Sequence, residues 1–267
     1  AAGALALAAC DTGTAEPSGE SGCGTLRLDI ATVTAVDAQT RATVELPADV
    51  IPNGNHFSLR ITGSYTDDLG ATQIYDREWP QFGDYDSPLM PQGNYTATAN
   101  YGDMEQEGEK AAAFGGTTDF RIMARRTITA SVATPLRNSA LKVAFGEWFT
   151  TYYANPVITI RTESNHTFSF TPAASHLIFV KPGTRLYLSG RAEKAQTGTE
   201  VEFAETEIGT TAPCTLHTVT LTASEAGSGR PVIRFDETFT ETEEKIIELN
   251  PEVYTPTPLN IRHHLPL

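Results

Sequence analysis

The chain has 267 residues, of which 40% are apolar, and a formal net charge of -14 from 33 acidic against 19 basic side chains. That length suits one large domain or two ordinary ones, with enough apolar material for a packed core, so global disorder is excluded. A surface this acidic repels phosphate backbones, so no nucleic-acid partner is expected. No apolar run reaches the roughly 18 residues that a membrane-spanning helix needs.

Residues 1–9, AAGALALAA, are all small or apolar and are followed by Cys10. This is the pattern of a secretory h-region running into a cleavage site. Leu7-Ala8-Ala9-Cys10 resembles a bacterial lipobox, in which the cysteine is acylated and becomes the mature N-terminus. Residues 1–10 therefore read as a truncated lipoprotein signal peptide, with Cys10 the lipidated residue. Residues 11–23 are rich in Gly, Ser, Thr and Glu, cannot bury surface, and read as a flexible tether. Asp11-Thr12-Gly13 matches an aspartic-protease triplet. Such an enzyme needs two carboxylates sharing a proton on rigid loops, and the triplet occurs once, inside the tether.

Beyond residue 24 the chain alternates short strand signals with turn signals. TLRLDI places Leu26, Leu28 and Ile30 on one face; FSLRITGSY does the same with Phe57, Leu59 and Ile61. GNYTATANYG and DFRIMARRTITASVA continue the period-2 pattern of half-buried strands. Pro135 and the polar residues after it mark a boundary. FGEWFTTYYANP breaks the pattern: Phe145, Trp148, Phe149 and Tyr152 fall at i, i+3, i+4 and i+7, one face of a short helix ended by Pro156. Strand signals then resume through EKIIEL at a density of seven or eight per roughly 115 residues, as in a β-sandwich. The expected architecture is all-β: two tandem antiparallel β-sandwich domains, Ig-like or transthyretin-like, at 24–135 and 136–250, with one short helix in the second. Residues 251–267 carry four prolines and read as an extended tail.

Five strings occur in this order: GTLRLDI at 24–30, MPQGNYTATANYGD at 90–103, FGGTTDFRI at 114–122, LKVAFGEWFTTYY at 141–153 and APCTLHTVTLTAS at 212–224. Together they resemble the domain-of-unknown-function 4493 family of Bacteroidetes lipoproteins, over nearly all of 24–249. The resemblance implies a β-rich lipoprotein of the outer membrane or cell surface, without established activity. Some members of that family carry a further C-terminal domain linked to carbohydrate. In such bacteria a compact acidic cluster after the cysteine favours surface export. Here Asp11, Glu16 and Glu20 are dispersed, which leaves a periplasm-facing orientation open.

Several stretches are candidates for chemistry. YDREWPQFGDYDSPLM, at 75–90, gathers Tyr75, Trp79, Phe82 and Tyr85 near Asp76, Asp84 and Asp86. Aromatic rings beside carboxylates can bind sugars by stacking and hydrogen bonding; the bland alternative is an inter-strand loop whose tryptophan plugs one end of a sandwich. Exposed, coplanar Trp79 and Tyr85 would favour the first reading. Asp67-Asp68 and Asp84-x-Asp86 match no full calcium loop and fit turn chemistry better. His217 is in phase with Val219 and Leu221 and reads as a core histidine. Cys23 and Cys214 read as thiols more readily than as a bridge. Arg125-Arg126 reads as a strand turn more readily than as a processing site. No catalytic set, metal site or cofactor is expected, and no enzyme.

The leading reading is a non-enzymatic, lipid-anchored envelope protein of the outer membrane or cell surface, acting as a stalk or adhesive binding module. It would meet the membrane through its N-terminal lipid and bind a glycan or another envelope protein. Two alternatives stay open: a glycan-binding accessory lipoprotein of a polysaccharide-uptake system, and a fimbrial-type structural subunit.

Overall fold

A computed structural model describes residues 22–38, 43–174, 176–223, 231–235 and 247–248. Cys10, the signal-peptide segment, most of the tether and the tail at 251–267 lie outside the described residues. The fold is all-β and sandwich-like, with one short helix.

The first half of the chain supplies β1 (Cys23–Thr32), β2 (Ala35–Ala38), β3 (Thr43–Glu45), β4 (Ser58–Thr66), β5 (Thr72–Trp79), β6 (Leu89–Pro91), β7 (Gly93–Tyr101), β8 (Phe114–Ile122) and β9 (Thr127–Thr134). One sheet is ordered β6-β1-β9 and the other β5-β4-β7-β8. β4 and β7 alternate as the sequence predicts: Leu59, Ile61, Tyr95, Ala97 and Ala99 are buried, while Arg60, Ser64 and Asn94 face out. Gly63 sits opposite both Tyr75 and Tyr95. A Cβ there would meet the Tyr95 ring, so only glycine leaves room for that ring to cross the strand.

The second half supplies β10 (Ser139–Phe145), α1 (Glu147–Tyr152), β11 (Tyr153–Thr162), β12 (Thr167–Phe170), β13 (Ile178–Val180), β14 (Arg185–Lys194), β15 (Glu200–Thr210), β16 (Thr215–Ala223), β17 (Pro231–Phe235) and β18 (Ile247–Glu248). Its sheets run β13-β10-β16-β17-β18 and β12-β11-β14-β15. The hairpin of β2 and β3 leaves the first half and pairs with β16 at Thr215↔Asp37 and Leu216↔Ala38. In α1, Phe149 is fully buried, and Tyr152 packs on the same core together with Phe145 at the end of β10. Trp148, expected on that face, is 44% exposed instead: six residues make fewer than two turns, too short to present an i to i+7 stripe.

Two further differences from the sequence reading have physical causes. Most strand pairs are antiparallel as expected, but β1/β9, β10/β16 and β2/β16 are parallel. Alternation reports which face of a strand is wet, not which distant strand lies beside it. The favoured sequence reading makes 75–90 an inter-strand loop, but the chain is strand through Trp79. β5 is a sheet edge with nearly every residue exposed, so it carries no alternation to read. DFRIMARRTITASVA is two strands, parted by a turn in which Arg125 has φ +57 and the Arg126 amide donates to the Met123 carbonyl. Cys214 forms no disulfide with Cys23: its thiol donates to the Leu136 carbonyl at 2.7 Å, whereas Cys23, which the sequence reads as a thiol, is disulfide-bonded.

Each sandwich has its own buried cluster, one built from Leu26 through Val132 and one from Leu141 through Leu221. The division is not complete. Leu136, Ala140, Phe179 and Leu216, at the near end of the second sheet system, belong to the first cluster. In β13, Ile178 and Val180 face their own core while Phe179, between them, is fully buried in the neighbour's. A strand covered on both faces shows a continuous apolar run rather than alternation, which is how HLIFV reads.

Candidate functional site

The aromatic region at 75–90 is placed by the end of β5 and the 3₁₀ turn Phe82–Asp84. Alternate residues Tyr75, Arg77 and Trp79 lie on one face of β5. Trp79 is only 5% exposed; Tyr75, Phe82 and Tyr85 are half-buried. The Trp79 and Tyr85 rings meet edge to face at 5.1 Å and 80°, so they form no coplanar exposed platform. Phe82 and Tyr85 stack at 5.9 Å and 12°, and Tyr75 meets Tyr95 edge-on. The structure thus brings all four sequence-predicted residues together, mostly facing inward.

The polar atoms here are largely committed to one another. The Arg77 guanidinium lies over the Trp79 ring at 4.7 Å and pairs with Asp86 at 2.9 Å. The Trp79 Nε1–H donates to Asp86 at 3.2 Å, and the Tyr85 hydroxyl donates to the Leu26 carbonyl at 3.1 Å. Burial pushes the Tyr85 hydroxyl up to about 12, reinforced by Tyr75 and Asp86. Burial also opposes ionisation of Asp86, but the hydrogen bond and charge of Arg77 outweigh it and hold that carboxyl below the usual range. A phenol this reluctant to ionise is a hydrogen-bond donor, not a base.

The other candidates resolve into local roles. Asp67 accepts from Gln73 Nε2 and from the amides of Ala71 and Leu69, which closes the turn between β4 and β5 and holds its carboxyl below the usual range. His217 is fully buried, accepts from the Ala212 amide at 2.9 Å, and is pushed down to about 4 by burial. Among the described residues, no group of three or more His, Cys, Asp or Glu side chains could hold a metal. No described helix is long and apolar enough to cross a membrane.

With this geometry in view, the sequence model of the DUF4493 family, described as a domain of unknown function, matches residues 22–250. The chain belongs to this family. No curated protein matches it significantly. Its fold is similar to several solved structures. One is from Bacteroides ovatus, provisionally described as a cell adhesion protein, at 11% identity, covering 85% of this chain and 98% of that one with TM-score 0.40. Another is from Bacteroides thetaiotaomicron, provisionally described as polysaccharide binding, at 10% identity, covering 84% and 99% with TM-score 0.39. The fimbrial anchor protein Mfa2 of Porphyromonas gingivalis shares 11% identity, with coverage of 79% and 95% and TM-score 0.29. Likenesses this distant carry no functional argument.

Among the described residues, β7 and β8 and the junction of the sandwiches each border a depression. A shallow groove of about 580 Å³ follows β7 and β8, lined by Asn94, Thr96, Asp119 and Arg121 among others. A cleft of about 330 Å³ lies near the junction of the sandwiches, between Asn100–Met104, Ala113, Phe114 and Arg137. Sequence reasoning missed the junction altogether. Its signals were present in the acidic alternation Glu105-x-Glu107-x-Glu109 and in Asn138, a fully buried amide beside Pro135 and the strand restart.

Proposed function

We propose that this chain is a non-enzymatic, lipid-anchored protein of the cell envelope, in the outer membrane or at the cell surface, whose two sandwich domains, at 24–135 and 136–250, act as a stalk or adhesive module. The observation that carries the reading is the junction: a single buried cluster takes side chains from both sandwiches, so the chain is built to hold a shape over its length. The polar side chains at 75–90 support it, being tied up in packing and ion pairs rather than converging on a pocket. Leu7-Ala8-Ala9-Cys10 and the polar segment after it support anchoring.

Metabolic labelling with an alkyne fatty acid tests the anchor. The full chain carries label and sediments with membranes, and Cys10→Ala carries none. An unlabelled wild-type protein, or label that survives Cys10→Ala, overturns the anchor.

A second reading, glycan capture through Tyr75, Trp79, Phe82 and Tyr85, is favoured by one observation. Phe82 and Tyr85 stack in parallel while both stay partly exposed next to Asp84 and Asp86. Affinity electrophoresis in polysaccharide gels decides it: retardation of the wild type that Phe82→Ala abolishes supports capture, and equal mobility of both forms removes it.

A further inference from the structure

We propose that residues 103–109, in the loop between β7 and β8, are a strap that locks the two sandwiches into one rigid body, with the Glu107 carboxylate as its pin. The inference stands on contacts alone and does not depend on the anchoring or adhesive reading.

From Glu105 onward, alternate residues of the strap reach across to the second sandwich. Glu105 pairs with Lys181 Nζ at 2.7 Å. The Glu107 side chain is 0% exposed; it accepts from Thr162 Oγ1 at 2.8 Å and from the Lys181 amide at 3.3 Å, and lies 2.6 Å from His166 Nδ1. Glu109 lies 3.5 Å from His176 Nε2. Between them, Gly108 and Phe179 exchange two backbone hydrogen bonds of 2.9 Å, so the strap adds a rung to β13. Gly108 has φ +150, a backbone state that glycine alone adopts without strain, and this lets the chain turn its amide and carbonyl onto β13 while flanking glutamates point at their partners.

Domains in one chain move relative to each other unless their interface is large and apolar or specifically tied. Here the ties are of three kinds. Phe179 is buried in the neighbour's core, β2 pairs with β16, and Asn138 bonds the Ala113 amide and the Ala111 carbonyl while its own carbonyl accepts from Cys214. The strap, a fourth tie, differs from these three because its pin is a carboxylate taken out of water. Such a group is stable only while its partners stay in place, so the strap closes fully or opens fully.

The test uses the full chain, with amide hydrogen exchange and calorimetry on the wild type, Glu107→Ala, His166→Ala and, as a control within the second sandwich, Glu205→Gln. In the wild type the two sandwiches melt close together. In Glu107→Ala the Gly108 and Phe179 amides exchange at least about tenfold faster than in the wild type, while Ala97 in β7 and Leu188 in β14 keep their protection, and the melts of the two sandwiches move apart. His166→Ala changes an exposed residue and carries the test if Glu107→Ala does not fold; it accelerates the same two amides by a smaller factor. Glu205→Gln changes neither. Unaltered protection at Gly108 and Phe179 in the variant that folds, with the two melts as close as in the wild type, overturns the proposal.

Discussion

The two sandwiches repeat one plan and close it differently. β1, β4, β5, β6, β7, β8 and β9 correspond in order and pairing to β10, β11, β12, β13, β14, β15 and β16: the four-strand sheets are ordered alike, and each opposite sheet centres on a parallel pair flanked by a short antiparallel strand. In the first sandwich the corner between sheets is sealed by β8 against β9, where Gly116 abuts the Ala133 carbonyl and the Gly115 amide donates to Pro135. In the second, β16 instead takes β17 along its edge and β2 from the neighbour. The plan fixes which strands pair, and the edges are left to whatever segment is at hand. The second sandwich therefore depends on the first for edge cover, and the first depends on the second for part of its core.

The largest expected effect tests that mutual dependence. Met90 in β6 and Phe179 in β13 hold the same place in the plan, opposite Gly24 and Ala140. Met90 fills its own sandwich's core, and Phe179 fills its neighbour's. Phe179→Ala should cost about 4 kcal/mol through the cavity it leaves. That loss should lower the urea midpoints of both sandwiches, followed by fluorescence and by protection of β7 and β14 amides. Met90→Ala should cost about 3 kcal/mol and act on the first sandwich first. Equal behaviour of the two variants would mean that the sandwiches are energetically one unit.

Much of the common plan was legible in the sequence, and the junction was not. Leu59 and Ile61, Tyr95 and Ala97, Leu186 and Leu188 announce half-buried strands because one face is dry and the other wet. β5 was lost because an edge strand wet on both sides has no period. Phe179 was lost because a strand buried on both sides has none either; its neighbours Ile178 and Val180 are as apolar as it is. The aromatic site is half legible: Trp79 reads both as a sugar platform and as a plug, since composition cannot say which way a ring points. Glu107 reads in sequence as one more solvated acid, since its burial comes from a loop folding over residues some 55 to 74 positions away.

His217 and Thr127 hold the corresponding places beside Leu141 and Thr25, so only the second sandwich carries a titratable group at this position. Burial holds the His217 imidazole neutral and its pKa near 4, against roughly 6.5 in the unfolded chain. Between those values the unfolded chain binds the extra proton, so stability falls as pH drops through that window, by about 3 kcal/mol in all, and is steady above it for this group. Urea midpoints from pH 7.5 to 4 should show this fall in the second sandwich. In His217→Gln, whose amide oxygen can still accept from Ala212, the slope between pH 6.5 and 4.5 should flatten. An unchanged slope would assign the acid sensitivity to other groups.

Gly116→Ala probes the sealed corner. A Cβ there would collide with the Ala133 carbonyl oxygen, which is backbone and cannot swing aside, so β8 and β9 must part. A cost of about 2 kcal/mol is expected, read as a lower midpoint for the first sandwich. Gly183→Ala is the comparison in the second: its Cβ meets open space, and only its φ of +74 opposes it, for a cost of about 1 kcal/mol. If the two variants were equally costly, backbone conformation rather than the corner contact would govern Gly116.

The smallest effects belong to the outer faces, where the sandwiches again solve one problem in two ways. Arg60 reaches diagonally to Asp76 on β5 at 2.7 Å, and Arg161 reaches over β14 to Glu205 on β15 at 2.7 Å. Each arginine's hydrogen bond holds its carboxylate below the usual range, so what either pair adds is present at neutral pH and fades as the carboxylate protonates in acid. All four side chains touch water, and such pairs contribute little, so Asp76→Asn and Glu205→Gln should leave the melting midpoints in physiological salt where they were. The arginines should differ. Arg161 also lies over the Tyr187 ring at 4.2 Å and is the less exposed of the two, so its removal takes away packing as well as charge. Arg161→Gln should therefore lower the second sandwich's midpoint at any salt concentration, while Arg60→Gln lowers the first only at low salt. A salt-independent loss for Arg60→Gln would show that its methylenes cover β4 and β5 in the same way.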